Sequence, residues 1–445
     1  MNQNLNQNQL SYIFKNMDDA VCITGKTGII YYLNDAANRL LGLDDENSTN
    51  KIWEVIPYVE KNDNLIQLFI NAITAKERTF QDLVEYEKND GSVCKLRVSI
   101  TFLEEESLFV IVINNITEFM RVSSAFKRYT SSSIADYVLN TPGGEMRGGS
   151  KRDVSILMSD LRGFTALSTK LAPEVMITIL NNYFENMVGV IERYGGTVIE
   201  FLGDGIFVVF GAPKDDKEHA LHALKCAIEM QNKMEDVNRW NEDNGYPMLE
   251  MGIGINSGDV IVGNIGSENK MKYGCMGETV NLAGRVESFT IGGQVIISER
   301  TKEHINVYLQ IAGKQSFLPK GAKEEMMIYE IKTVDELKLN NSVDEINWLQ
   351  HTGSTSDKNE TQVSIYELEG KQVIEVKYPA LVTQLSVDRR YAKLVTEKHL
   401  EKSQNIMIDI SGDLYAKVMD VNEDFYTICF TSRPDSFSDW AENFK

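Results

Sequence analysis

The stretch VSILMSDLRGFT, residues 154–165, decides how this sequence is interpreted. Its first five residues, Val154–Met158, are mostly apolar and predict one short buried β-strand. Asp160 follows that strand almost directly, and Gly163 lies three residues further on, before a helical pattern begins at Pro173. The order of strand, aspartate, glycine and helix predicts a carboxylate at the carboxyl end of a strand.

A second aspartate lies between two further apolar segments. Thr197–Leu202 and Ile206–Phe210 have the composition of strands, and the Gly-Asp-Gly tripeptide between them is typical of a tight hairpin. Asp204 is then expected at the hairpin tip, close to Asp160 if the strands are neighbours in one sheet. Paired carboxylates bind hard divalent cations such as Mg²⁺, although an aspartate in a glycine-containing turn commonly has only a structural role.

The residues that follow Asp160 supply a second kind of ligand. Gly163 permits a close approach of the backbone, and N–H groups near the start of a helix bind phosphate oxygens. We therefore expect this segment to contact a polyphosphate. Its residues are Leu161, Arg162, Gly163, Phe164 and Thr165.

Four motifs between residues 150 and 332 have the order and spacing of those in the class III nucleotide cyclases, the adenylate and guanylate cyclases, and this region resembles that family. The resemblance implies a ferredoxin-like α+β catalytic domain over residues 151–332. The motifs are SDLRGFT at 159–165, FLGDG at 201–205, GINSG at 254–258 with GNIGS at 263–267, and GETVNLAGR at 277–285.

By this resemblance, the domain converts a purine nucleoside triphosphate into the 3′,5′-cyclic monophosphate and pyrophosphate. Asp160 and Asp204 are then expected to hold two Mg²⁺ or Mn²⁺ ions. Asn281 is expected to orient the ribose, and Arg285 to stabilise charge on the phosphoryl group in the transition state. These last two residues are four positions apart and share one face of a predicted helix.

The resemblance also implies a head-to-tail homodimer with two identical active sites. In such a dimer one protomer supplies the two aspartates of a site. Its partner supplies Asn281, Arg285 and the residues that read the base. An isolated protomer is therefore expected to be inactive.

The resemblance also implies which positions read the base, and the residues found there favour GTP over ATP, because guanylate cyclases place Glu, and adenylate cyclases Lys, four residues before the second aspartate. Glu200 stands four residues before Asp204, and a carboxylate accepts hydrogen bonds from guanine N1–H and from the 2-amino group. The second such position falls on Gly274, which has no side chain, while Cys275 lies one residue later. Lys320 lies in a Lys-Gly-Ala-Lys sequence and is expected either to contact the triphosphate or to be a solvated loop residue. We thus expect a guanylate cyclase, with an adenylate cyclase or a catalytically silent cyclase-like scaffold as alternatives.

Residues 1–117 show an α+β pattern that resembles the PAS family of sensor domains. The resemblance depends on three segments. They are DAVCIT at 19–24, residues 28–37, which begin with Gly28 and end with NDAA, and NIT at 115–117. All five histidines lie outside this region, so a histidine-ligated haem has no axial ligand there. An unknown small ligand and a role in dimerisation both remain open. Residues 118–150 are expected to form a signalling helix and, over residues 141–150, a flexible glycine-rich linker.

The C-terminal part of the chain predicts a third domain. Residues 333–360 are polar and predict a linker, while residues 361–445 contain about six short alternating segments that predict a small β-barrel-like domain. The outline resembles a degenerate PilZ domain, but the RxxxR and DxSxxG elements that bind cyclic dinucleotide are absent. We therefore expect a dimerisation or docking module. The predicted fold class of the whole chain is α+β multidomain.

Composition excludes several other classes of function. The 445 residues include 65 acidic and 45 basic side chains, a net charge of −20, which disfavours nucleic acid and anionic membrane surfaces as partners. No apolar run approaches the ~18 residues needed to span a bilayer, and the first residues show no export signal. We therefore expect a cytoplasmic protein. Its scattered cysteines, expected to be reduced thiols, are Cys22, Cys94, Cys226, Cys275 and Cys429.

Overall fold

The computed structural model describes residues 7–42, 50–75, 79–318, 325–340, 346, 348–349, 360–369, 372–434 and 436–444. The chain divides into two compact units, residues 1–129 and residues 130–445. Both units combine helices with antiparallel sheet, and the second unit contains two sheets of its own. The α+β multidomain class predicted from the sequence is confirmed.

The first unit is an antiparallel sheet with helices packed against one face. Alternate residues of its long strands are buried, which places one side of each strand against the helices. In chain order its elements are α1 (Gln7–Lys15), β1 (Ala20–Gly25), β2 (Ile30–Leu33), α2 (Asp35–Leu41), α3 (Asp63–Thr74), β3 (Thr79–Glu87), β4 (Val93–Leu103), β5 (Leu108–Asn115) and α4 (Thr117–Tyr129). The strand order is β2-β1-β5-β4-β3.

Asn34 joins helix α2 to strand β1 within this unit. Its Oδ1 accepts hydrogen bonds from the backbone N–H groups of Val21 and Ala37, both at 2.9 Å. Its Nδ2 donates to the carbonyl oxygens of Asp19 at 2.8 Å and Phe14 at 3.1 Å. One buried amide therefore caps the helix and fixes the entry into the strand, which explains the asparagine in the PAS-like pattern.

The second unit begins with a nine-stranded sheet covered by helices on both faces. Its elements are α5 (Ser132–Asn140), β6 (Gly148–Leu161), α6 (Phe164–Ser168), α7 (Pro173–Arg193), β7 (Thr197–Leu202), β8 (Gly205–Phe210), α8 (His219–Asp243), β9 (Met251–Ser267), β10 (Lys270–Met276), α9 (Glu278–Ser288), β11 (Val295–Ser298), α10 (Glu299–Glu303), β12 (Leu309–Phe317), β13 (Met326–Val334) and β14 (Leu337–Lys338).

The path of the main sheet is β12-β13-β11-β9-β6-β8-β7, with β10 paired to β9 and β14 to β13. The central part, β9-β6-β8-β7 with helices α7 and α8, has the ferredoxin-like arrangement that the sequence predicted. Helices α7 and α8 pack on one face of the sheet, and α5 and α9 pack on the other. Strand β8 is buried along its whole length because it is covered from both sides.

The structure differs from the sequence-based expectation of a flexible segment over residues 141–150. Strand β6 already begins at Gly148, where it pairs with Asn264 of β9. The side-chain amide of Asn264 also donates to the carbonyl oxygens of Gly144 at 2.7 Å and Met146 at 2.9 Å. The glycines therefore form an ordered turn that leads into the sheet, because a side chain distant in the sequence binds their backbone.

The C-terminal part of the second unit is a closed barrel of six strands within the residues that the structure describes. Closure follows because β15 pairs both with β17 and with β19, which leaves neither sheet edge open. The barrel predicted from the sequence is thus confirmed. Its elements are β15 (Thr361–Glu369), the short β16 (Gln372–Val373), β17 (Tyr378–Leu385), β18 (Tyr391–Thr396), β19 (Asn405–Asp409), β20 (Asp413–Val421), β21 (Tyr426–Ser432) and α11 (Phe437–Ala441).

This barrel docks onto the nine-stranded-sheet part of its own chain. Lys417 of β20 is 3% exposed, and its Nζ donates to the carbonyl oxygens of Ser288 at 2.7 Å and Thr290 at 2.9 Å, at the end of α9. An amino group that donates there suits the negative end of the helix dipole, while burial lowers the pKa of Lys417 to about 7. Arg390 of the barrel forms an ion pair with Glu250 at 3.2 Å. The barrel therefore contacts the helix that carries Asn281 and Arg285.

Candidate active site

The two aspartates singled out from the sequence lie side by side. Asp160 is the next-to-last residue of β6, and Asp204 lies at the tip of the β7–β8 hairpin. Because β6 pairs with β8 over Ser155–Ser159, the hairpin tip lies against the carboxyl end of β6. The backbone N–H of Leu161 donates to Asp204 Oδ2 at 3.2 Å.

Gly205 makes this close approach possible. A Cβ atom at this position would lie 2.7 Å from the carbonyl oxygen of Ser159 and 3.6 Å from Oδ1 of Asp160. The first distance is a clash with backbone, which cannot move aside as a flexible side chain would. The glycine of the FLGDG motif therefore brings Asp204 against the end of β6.

The proximity of the two carboxylates changes the acidity of one of them. Burial and the neighbouring charge of Asp160 raise the pKa of Asp204 to about 6. Both effects disfavour the ionised carboxylate, because it loses water and meets a like charge. A proton or a cation between the two groups relieves that repulsion, so the pair has the electrostatic character of a cation site.

Asn281 and Arg285 project from one face of α9 into solvent. The opposite face of the helix is buried through Leu282, Ala283 and Val286. Among the described residues, no side-chain hydrogen bond or ion pair engages either Asn281 or Arg285, and none connects them with the aspartate pair of the same chain. The two side chains are therefore available to a group from outside the chain.

Glu200 forms an ion pair with Lys272 of β10, a residue that the sequence analysis did not single out. Both side chains are about half exposed, and Gly274 lies two residues further along the same strand. Cys275 instead packs into an apolar cluster near Tyr273, and burial raises its thiol pKa to about 12. Pairing of Glu200 with a lysine on a strand 70 residues away depends on β10 folding back along β9, which no local pattern indicates.

The first residues after Asp160 use their backbone N–H groups for hydrogen bonds within the fold. Leu161 N–H is used by Asp204, and Arg162 N–H donates to the carbonyl oxygen of Glu250 at 2.7 Å. Helix α6 begins at Phe164, so the amides of its first turn have no intrahelical acceptor. Of the five residues predicted to contact phosphate, Gly163, Phe164 and Thr165 lie at this helix start. A Cβ atom at Gly163 would lie 2.8 Å from the carbonyl oxygen of Thr431, so the backbone that approaches this glycine closely is that of β21 in the barrel.

The Arg162 side chain points to α9 and the turn after it. Its guanidinium forms an ion pair with Glu287 and donates to Thr290 Oγ1 at 3.2 Å. Burial lowers the pKa of Arg162, and the nearby carboxylates Asp160 and Asp204 oppose that shift. Arg162 therefore links the aspartate segment to the end of the helix that carries Arg285. Lys320, also predicted to contact the triphosphate, lies outside the described residues.

Comparisons with known proteins identify the family of the domain that carries the aspartate pair. The sequence profile of the adenylate and guanylate cyclase catalytic domain matches residues 146–333. The solved structure of the guanylyl cyclase Cya2 is 47% identical, covers 43% of this chain and 100% of that chain, and gives a TM-score of 0.43. This chain belongs to the adenylate and guanylate cyclase family. The resemblance inferred from the four motifs is thus confirmed, and residues 18–118 match a PAS domain profile as expected.

That solved structure is named a guanylyl cyclase, whereas two curated relatives of the cyclase domain are named adenylate cyclases. Adenylate cyclase 1 of Rhizobium meliloti (strain 1021) is 29% identical over 187 residues, which are 42% of this chain and 28% of that protein. The adenylate cyclase of Anabaena cylindrica is 31% identical over 198 residues, 42% of this chain and 38% of that protein. The chain thus spans under two fifths of the length of these curated relatives. Among the described residues, no helix combines the length and apolar character needed to cross a membrane.

The aspartate pair of the cyclase domain predicts a specific effect of pH on stability. Because the pKa of Asp204 is raised from 3.8 to about 6 in the folded state, the folded chain holds more protons than the unfolded chain between these values. Stability of the metal-free protein is therefore lost as the pH rises through this window. Asp204→Asn removes the charge, and we expect it to raise the Tm of chelator-treated protein by a few degrees above pH 6 and by less near pH 5.

Thermal unfolding followed from pH 5 to 8 measures this difference. Asp424→Asn is the matched control, because Asp424 is an exposed aspartate in the turn between β20 and β21. A Tm of Asp204→Asn that equals or falls below that of the unaltered protein at pH 7.5 would contradict the electrostatic account of the pair.

Proposed function

We propose that the cyclase domain is an active class III cyclase that forms a 3′,5′-cyclic nucleoside monophosphate and pyrophosphate from a purine nucleoside triphosphate. The observation that carries the proposal is the contact between Asp160 and Asp204. A silent scaffold has no reason to retain two mutually repelling carboxylates together with the exposed Asn281 and Arg285. The full set of groups that the chemistry needs supports an enzyme over a scaffold.

Asp160 and Asp204 fit the two Mg²⁺ or Mn²⁺ ions that we propose for this site. The pair offers hard oxygen ligands, and the raised pKa of Asp204 reflects its burial and the neighbouring charge of Asp160. When bound, the ions lower the pKa of the ribose 3′-hydroxyl and neutralise charge on the triphosphate. The backbone amides at the start of α6 hold the phosphate oxygens that face the protein.

Asn281 and Arg285 complete the site from a second copy of the chain. Asn281 positions the ribose through its amide, and Arg285 donates hydrogen bonds to the oxygens of the α-phosphoryl group, where negative charge increases in the transition state. Their exposure on α9, without partners among the described residues, supports contribution to a neighbouring protomer. We therefore propose a homodimer with two shared sites.

Glu200 leads us to propose GTP as the preferred substrate. Its carboxylate accepts hydrogen bonds from guanine N1–H and the 2-amino group, and the ion pair with Lys272 limits its orientations. Gly274 leaves room beside the base. The ammonium of Lys272 favours the second candidate, an adenylate cyclase, because it is a donor that adenine N1 can accept.

Product analysis tests both the activity and the base preference. We expect the purified full chain, given Mn²⁺ and equal ATP and GTP, to produce more cyclic GMP than cyclic AMP. Chromatography separates the two products. Excess cyclic AMP would overturn the GTP assignment. If neither cyclic nucleotide forms with Mn²⁺ or with Mg²⁺, the proposed activity is overturned.

Substitution of Glu200 tests the residue that selects the base. Glu200→Gln replaces one acceptor of the guanine edge with a donor, so kcat/KM for GTP is expected to fall about 10–100-fold, with a smaller effect on ATP. Glu268→Gln in the exposed β9–β10 turn is the matched control and should leave both values unchanged. An equal loss for both nucleotides would show that Glu200 acts in folding or dimer formation instead.

The PAS domain and the α4 helix fit a sensor that acts through the dimer. Phe119, Val122 and Tyr129 of α4 are exposed, and no residue of this helix is buried. An apolar stripe of this kind suits a helix that pairs with its counterpart in a second chain. The alternatives of a small ligand in the PAS core and a purely dimerising role both remain compatible with this proposal.

A further inference from the structure

Three potential metal ligands meet beside the middle of β6, away from the aspartate pair at its carboxyl end. Asp153 lies on β6, His219 is the first residue of α8, and His304 follows the last residue of α10. Asp153 Oδ2 lies 3.0 Å from His304 Nε2 and 4.0 Å from His219 Nε2. One ligand atom from each residue lies within 4.8 Å of the other two.

The second nitrogen of each imidazole is already occupied. His304 Nδ1–H donates to the carbonyl oxygen of Arg300 at 2.7 Å. His219 Nδ1 lies 2.8 Å from Ser155 Oγ, and that hydroxyl lies 2.6 Å from Ser257 Oγ. Ser257 donates to Thr301 Oγ1 and so takes the hydrogen of Ser155, which leaves Ser155 as the acceptor of His219 Nδ1–H and leaves His219 Nε2 with a lone pair. His304 Nε2 is hydrogen-bonded to Asp153 Oδ2 in the metal-free chain, so a metal bound there replaces the proton between these two atoms. Both rings therefore present Nε2 to the same space as the Asp153 carboxylate.

Exposure differs among the three side chains in a way that suits a bound cation. The side chain of His219 is 7% exposed, whereas those of Asp153 and His304 are 50% and 34% exposed. The two more exposed ligands leave a path from solvent to the site.

We infer that Asp153, His219 and His304 form a binding site for a divalent transition metal of the Zn²⁺ class. Two imidazole nitrogens and one carboxylate are ligands that Zn²⁺ prefers, while Mg²⁺ prefers oxygen ligands. In a tetrahedral Zn²⁺ site with bonds of about 2.0–2.1 Å, neighbouring ligand atoms lie about 3.3 Å apart. The distances of 3.0 Å and 4.0 Å from Asp153 Oδ2 to the two Nε2 atoms lie on either side of that spacing. Three protein ligands leave a fourth position for water.

This site is separate from the aspartate pair of the proposed cyclase reaction. Asp153 and Asp160 are seven residues apart on one strand, which corresponds to about 23 Å. The three ligands come from elements that are distant in sequence, so a bound metal joins β6, α8 and α10. The inference therefore does not depend on the proposed function, and it predicts a metal that stabilises the fold of this domain.

Metal binding to the tag-free, chelator-treated full chain tests the inference. We expect about one Zn²⁺ per chain to compete with a chromophoric chelator and to raise the Tm, with no competition from millimolar Mg²⁺. The Co²⁺ form is expected to show the visible absorption of a tetrahedral site. The same titration with the Asp160→Asn, Asp204→Asn double variant excludes binding at the aspartate pair, and it should give the same affinity.

His304→Gln is the decisive variant because its side chain is partly exposed, so the metal-free fold is retained. We expect it to lower Zn²⁺ affinity at least about 10-fold, to abolish the Co²⁺ spectrum and to leave the Tm of the metal-free protein unchanged. His222→Gln is the matched control, because His222 bonds Asp216 at 2.7 Å outside the cluster. Affinity retained in His304→Gln, or lost equally in His222→Gln, would overturn the inference, as would the absence of Zn²⁺ binding by the unaltered chain.

Discussion

The antiparallel pairing of β6 with β8 and β9 is the constraint on which the rest of the second unit depends. Strand β6 is paired with β9 along its whole length, Gly148–Leu161 opposite Asn264–Met251, and with β8 on its other side. This pairing fixes where the β7–β8 hairpin tip falls, and Gly205 lets it approach closely enough for Asp204 to lie beside Asp160. The same strand carries Asp153 near its middle, so a single register positions both groups of candidate ligands.

Each chain on its own holds only part of the proposed active site, because the expected catalytic side chains lie on different parts of the domain. The aspartates lie at the end of β6, whereas Asn281 and Arg285 face solvent from α9. Repulsion between the aspartates is tolerated because the sheet holds them in place, and the exposed pair on α9 remains available to another protomer. The barrel contacts this arrangement directly, since Lys417 binds carbonyls at the end of α9 and Arg162 reaches the same turn.

Sequence predicted the features that depend on local patterns, and it missed those that depend on tertiary contacts. The strands around Asp160 and Asp204 follow from apolar runs and a Gly-Asp-Gly turn, so their approach could be anticipated. The pairing of Lys272 with Glu200 and the docking of Lys417 join segments 70 or more residues apart, and no spacing rule indicates them. The turn after α5 was expected to be flexible because its glycines are visible in the sequence, whereas the distant amide of Asn264 that orders it is not.

The most direct test of a site shared between two chains mixes two inactive variants. Asp204→Ala and Arg285→Ala should each be inactive alone, because each removes a group from both sites of its homodimer. After exchange of chains in an equal mixture, half of the dimers are mixed and each has one intact site, so about a quarter of the unaltered turnover should return. A mixture that stays inactive although exchange is demonstrated, or an active single variant, would contradict the account.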